Sequence, residues 1–169
     1  MEISRLAKVA LLMFAALQTI YYYSKLPDKI ASHFVGGGRP DRWTSRPALF
    51  FTYWIWLAMV LVISVGIPAL IVRLPRRLIN LPRKDYWLSE EMYPETIRLL
   101  RIHFNWLGVI LMSLQVGVFQ MIFQANLSQE PVLSGWFIAI LVGFALALLV
   151  WIIKFTMRFR RVPEEPQSS

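Results

Sequence analysis

The chain has 169 residues, of which 57% are hydrophobic, and its mean hydropathy is +0.51. Soluble domains hold ~45–50% apolar residues, so this composition points to a membrane protein. The net charge of +8 is not arranged as a basic stripe interleaved with stacking aromatics, which argues against nucleic acid, and the lack of cysteine excludes disulfides, thiolate metal sites and thiol catalysis.

Taken in chain order, the first apolar run is Val9–Tyr23, which Leu6 and Ala7 extend past Lys8 to a span of about 6–23. Arg5 and Lys8 followed by an apolar stretch resemble the start of a signal peptide. The bulky Tyr21, Tyr22 and Tyr23 stand where small residues would mark cleavage, so the segment reads as a retained span with an interfacial tyrosine belt. A polar insert, residues 26–43, follows. The second span, about 48–72, is free of formal charge, and its Gly66-Ile67-Pro68 is expected to kink or loosen the helix. A third span is expected over 103–124, with Gly108 and Gly117 as small positions for close helix contact and Ser113, Gln115 and Gln120 as interhelical hydrogen-bonding groups. The fourth covers about 132–153. Each run is long enough, since a helix needs ~20 apolar residues to cross the hydrocarbon core. A chain of this size has too little surface of its own to bury four of them. No span carries a charge near its centre, which argues against a proton relay or ion pump. Residues 1–162 thus read as one four-span membrane domain, and 163–169 as a disordered tail.

Lys and Arg placement sets the orientation. With a cytoplasmic N-terminus, thirteen cations fall inside, from Arg5 and Lys8 through the 73–101 segment to Lys154–Arg161. Five fall outside: Lys25, Lys29, Arg39, Arg42 and Arg46. The positive-inside bias therefore puts both termini in the cytoplasm and the 26–43 loop outside. The expected fold class is an all-α integral membrane protein with four transmembrane helices, one outward motif loop and one cytoplasmic amphipathic motif segment.

Much of the outward loop has structural duties. Pro27 stops the first helix, Gly36-Gly37-Gly38 permit positive φ or a close backbone approach, and Arg39-Pro40-Asp41 suits a turn. Thr44 or Ser45 can N-cap the second span, with Pro47 tolerated in its first turn. Phe34 and Trp43 are expected at the interface. His33 with Asp28 or Asp41 offers an acid–base or metal pair, although one histidine and two aspartates do not make a metal site.

The residues Leu26-Pro-Asp-Lys-Ile30, His33-Phe34 and Gly38-Arg-Pro-Asp-Arg-Trp43 resemble the LPxxIPxHFxxxGxPDxW signature of a bacterial membrane family. That family is a domain of unknown function also found at the N-terminus of SdpI-type toxin-immunity proteins. Ala31 stands where it usually has proline. A second stretch, Asn80-Leu-Pro-Arg-Lys-Asp-Tyr-Trp-Leu-Ser-Glu-Glu91, is similar to the NxPNKDYWLxPE box of short family members, with Arg83 in place of asparagine. The resemblance implies four spans and, through the immunity proteins, recognition of a secreted peptide.

Two residue sets follow as candidates. His33, Phe34, Gly38, Pro40, Asp41 and Trp43 would recognise a ligand or peptide outside. Asn80, Pro82, Lys84, Asp85, Tyr86 and Trp87 would contact lipid or a partner inside, with Tyr86 and Trp87 as interfacial anchors. Ser89 is expected to cap a short helix whose early Glu90 and Glu91 favour its positive end. Arg101 and His103 read as interfacial snorkelling residues. The expected protein is non-enzymatic, without catalytic residues, metal or cofactor, and sits in the bacterial plasma (inner) membrane. Its expected partners are the lipid bilayer and a secreted peptide or another membrane protein. The alternative is a transporter or an accessory subunit of a membrane complex, in which Pro68, Gln115 and Gln120 would matter.

Overall fold

No proline or glycine interrupts the chain before Pro27. In the computed structural model, which describes residues 3–161, helix α1 runs from Ile3 to Tyr23. Strands β1 (Lys29–Phe34) and β2 (Pro40–Ser45) follow, joined by a tight turn at Gly36–Gly38. The outward loop is therefore an antiparallel β-hairpin, and the all-α expectation needs that correction. The signal was present: two short runs containing Ile30, Phe34, Trp43 and Thr44 flank a glycine turn. Gly37 and Gly38 take φ of 80° and 75°, a conformation that costs glycine little.

Ser45 caps the next helix, its Oγ accepting from the Ala48 N–H at 3.4 Å, with Pro47 in the first turn. Helix α2 (Arg46–Leu61) passes through a π-helical turn at Val62–Gly66 into α3 (Ile67–Ile71). Pro68 cannot donate to the ladder, so the fault expected around Gly66–Pro68 is taken up one turn earlier as a π-bulge. A 3-10 turn at Arg76–Leu78 and the four-residue helix α4 (Lys84–Trp87) lead to α5 (Tyr93–Ala125). Helix α5 has 33 residues and starts ten before the expected span. It is about 50 Å long at 1.5 Å per residue and outreaches a hydrocarbon core of ~30 Å. Helix α6 (Trp136–Arg160) lies later than the expected 132–153, because Pro131 to Ser134 form an extended connection and the helix continues through Lys154 and Arg158.

Among the described residues, four helices are long and apolar enough to cross a membrane: Ile3–Tyr23, Arg46–Ile71, Tyr93–Ala125 and Trp136–Arg160. Their outer faces carry Phe14, Phe51, Trp56, Ile138 and Leu146 exposed, and no residue in the most apolar stretch of α6 is buried. Such a surface is stable against lipid and unstable in water. The tail expected at 163–169 lies outside the described residues.

Two packed clusters hold the ends of the bundle. One joins the hairpin root to α1, α2 and α5 through Leu26, Ile30, Phe50, Tyr53, Phe119 and Phe123. Tyr22 belongs to it: buried, it accepts from Gln120 Nε2 at 2.7 Å, so it leaves the expected tyrosine belt while Tyr21 and Tyr23 stay exposed. The second cluster gathers Ile79, Leu81, Trp87, Leu88, Leu100 and Phe159. The 79–88 segment thus packs into a core through Ile79, Leu81, Trp87 and Leu88, while its Asn80, Arg83, Lys84 and Asp85 stay exposed.

Candidate functional site

The two motif segments sit at opposite ends of the bundle. At the hairpin end, the register runs Lys29↔Ser45, Ile30↔Thr44 and Ala31↔Trp43, shifts to His33↔Arg42, and recovers at Phe34↔Pro40. Across the shift, the Asp41 carboxylate accepts from His33 Nδ1 at 2.6 Å, on the exposed face. That hydrogen bond, aided by the charges of His33 and Arg42, holds the Asp41 carboxyl below the usual range. Asp28 is committed elsewhere. It pairs with Arg46 at 2.8 Å, and Arg46 also donates to the Leu26 carbonyl at 2.7 Å, tying the end of α1 to the start of α2.

The hairpin is fixed from behind by a residue that sequence reasoning passed over. Asn126, buried just past α5, brackets Ala31. Its Oδ1 accepts from the Ala31 N–H at 2.7 Å, and its Nδ2 donates to the Ala31 carbonyl at 2.9 Å and to Ile122 O at 2.8 Å. A proline at position 31, as in the resembled signature, has no N–H to give. The hairpin tip is held as well: Leu133 N–H donates to Gly38 O at 2.9 Å, and a Cβ on Gly38 would stand 2.5 Å from Leu133 O. Phe34 is half-buried against the core, whereas Trp43 is exposed with Lys29 Nζ 5.7 Å from its ring centre. Beside them a recess of about 500 Å³ opens between Lys25, Lys29, Trp43, Asn126, Gln129 and Pro131. Of the expected outward set, the structure brings His33 and Asp41 into contact, while Gly38, Pro40 and Phe34 shape the hairpin.

At the other end, the second set separates. Trp87 is fully buried, donating from Nε1 to Phe159 O at 2.8 Å, with its own carbonyl accepting from Thr96 Oγ1 at 2.6 Å. It is a core residue and not an interfacial anchor. Tyr86 and Pro82 are half-buried, and Asn80, Lys84 and Asp85 are exposed. Arg83 adopts the left-handed region (φ 52°, ψ 42°), where asparagine, the residue of the resembled box, is at home. Ser89 Oγ accepts from the Met92 N–H at 3.3 Å, so it supports the turn into α5 and caps no short helix.

Two polar clusters inside the bundle were only partly legible. In the first, Tyr53 donates to Gln18 Oε1 at 2.5 Å, Gln18 Nε2 to Gln120 Oε1 at 2.7 Å, and Gln115 Nε2 to Tyr53 O at 2.7 Å. In the second, the buried Lys8 donates to Asn105 Oδ1 at 2.6 Å and Ser64 Oγ at 3.4 Å. Among the described residues, no three of His, Asp and Glu gather as a metal-binding group.

Residues 9–63 match a domain of unknown function, DUF1648; the match begins within α1, takes in the whole hairpin and ends in the π-turn. An uncharacterized protein of the archaeon Archaeoglobus fulgidus is 32% identical over 167 residues, covering 90% of this chain and 84% of that protein. The chain belongs to that protein's family and carries a DUF1648 domain. No solved structure matches it. The DUF1648 segment thus coincides with two helices and the hairpin they present, and the relationship to the archaeal protein extends the likeness over the other two spans.

Proposed function

We propose that this DUF1648 protein is a non-enzymatic plasma-membrane protein that senses or neutralises an extracytoplasmic peptide on strand β2 of its hairpin. One observation carries the reading: β1 is fastened to the bundle through Asn126, while β2 carries Asp41, Arg42 and Trp43 exposed. A fastened hairpin with an open outer strand suits the addition of an extended peptide, in which backbone bonds give affinity and side chains give choice. Arg39, Arg42 and Lys29 around it favour an acidic segment. The likeness of the signature to the N-terminal domain of SdpI-type immunity proteins supports a secreted toxin as the source. The rival reading, a transporter or accessory subunit, would place function in Pro68, Gln115 and Gln120. The two glutamines spend their amides on Tyr53 and Tyr22 within the bundle, which favours packing for them.

The test is photo-crosslinking in living cells from position 42. Capture of a peptide, reduced in a His33→Ala/Asp41→Ala/Trp43→Ala variant present at normal membrane levels, is the expected result. Capture of lipid alone, or undiminished capture by the triple variant, would sink the proposal.

A further inference from the structure

At the end of the bundle away from the hairpin, α1, the π-turn, α3 and α5 line a cavity of about 360 Å³ that is open on one side. Three cations line it: Arg5 and Lys8 from α1, and Arg101 from α5. Arg5 and Lys8 are three residues apart and Arg101 and Asn105 four apart, so each pair shares a helix face, and the two faces meet across the cavity. Ser64, Pro68 and Asn105 complete the wall.

The cavity is built by sequence features that otherwise have no common purpose. Pro68 forces the π-turn, which carries Ser64 inward. Gly108 lets α5 approach so closely that a Cβ there would lie 2.5 Å from Ser64 Cβ and 3.5 Å from Lys8 Cδ. Lys8 is only 6% exposed, and its ammonium is aimed by Asn105 and Ser64. Asn105 is itself fixed, its Nδ2 donating to Arg101 O at 2.8 Å. Lys8 lies five residues into α1, about 7.5 Å along the axis, which puts the cluster near a headgroup region and clear of the bilayer centre. Cations concentrated between helices at that depth attract an oxyanion, and guanidinium pairs match the oxygens of a phosphate.

We infer that this cavity is a binding site for a phosphate group, held by Arg5, Lys8 and Arg101 with Ser64 and Asn105 as positioning residues. The inference is independent of the hairpin and of what the hairpin binds. The phosphate has two possible sources, an anionic lipid headgroup or free phosphate, and the same measurement separates them.

The full chain, purified in a non-ionic detergent, is titrated with phosphatidylglycerol, phosphatidylcholine or inorganic phosphate while its melting temperature is followed. A saturable rise with phosphatidylglycerol alone assigns the lipid headgroup, and a saturable rise with inorganic phosphate assigns the free ion. Either response is expected to weaken at least tenfold in Arg5→Gln/Arg101→Gln. It is expected to persist in Arg77→Gln/Arg160→Gln, which removes two exposed cations from outside the cavity lining. Ala69→Phe, which fills the cavity without removing charge, is expected to abolish it and serves if the arginine pair fails to fold. Equal responses in the cavity and control variants, equal stabilisation by phosphatidylcholine, or no saturable response at all would overturn the site.

Discussion

Asn126 holds the hairpin from outside it, through both backbone groups of Ala31. Ala31 is fully buried, so without Asn126 its N–H and carbonyl would be left without partners, a loss of about 1–3 kcal/mol per group. Asn126→Ala is therefore expected to lower unfolding stability in detergent by about 2–6 kcal/mol, with the hairpin amides losing protection from exchange before the helices do. Equal loss of protection across all four helices would show that Asn126 acts globally. The coupling to Ala31 is also testable, since Ala31→Pro removes the N–H that Oδ1 receives, and the two substitutions together should cost less than their sum. The exposed Asp41–His33 contact behaves differently. The carboxyl is held below its ordinary value, so its contribution is complete above the unfolded carboxylate value of ~3.9 and fades as pH falls through the depressed one. Hairpin amide protection, measured against the intrinsic exchange rate at each pH, is expected to fall below about pH 4 in the native chain and to be lower already at pH 6, and flatter with pH, in Asp41→Asn. An identical pH profile in the two would mean that the contact does not hold the hairpin.

Among the elements, the junction of α5 with the π-turn is the most tightly specified. Gly108 and Gly117 read alike in the sequence as small positions in one span, yet the structure separates them. A Cβ at 108 meets Ser64 Cβ at 2.5 Å, whereas one at 117 meets Ile140 Cγ2 at an ordinary 3.6 Å. Gly108→Ala is expected to destabilise by about 1–3 kcal/mol through overpacking, and Gly117→Ala to stay within ~0.5 kcal/mol of the native chain. Thermal unfolding of both variants in one detergent checks the contrast, and equal effects would mean that the helices slide apart freely. The elements that the sequence exposed and those it hid divide on a physical line. The four spans were legible because length and hydropathy are local properties, and so was the helix fault near Pro68, because a missing N–H is intrinsic to proline. The burial of Tyr22 and Trp87 was hidden, since an amphipathic ring is equally suited to a membrane interface and to a polar pocket in a core. Asn126 and Lys8 were hidden for another reason. Their partners lie 95 and 97 residues away, and no spacing within the chain points to them.

For the whole molecule, the decisive quantity is which end faces out. Thirteen cations fall on the side of the termini and the 73–101 segment, and five on the hairpin side. By the positive-inside bias, that imbalance is the argument for a hairpin outside. In that orientation the cavity lined by Arg5, Lys8 and Arg101 would open toward the inner leaflet, where anionic lipid is richest. The native chain has no cysteine, so single substitutions report on topology without background. Arg42 on β2 and Arg77 in the 3-10 turn are both exposed and stand at opposite ends. In intact cells a membrane-impermeant maleimide is expected to label Arg42→Cys, and to label Arg77→Cys only after the membrane is opened. The reverse pattern would put the hairpin in the cytoplasm and end the case for an extracytoplasmic peptide. It would leave the phosphate site standing, because that site depends on how the helices pack and not on which way they face.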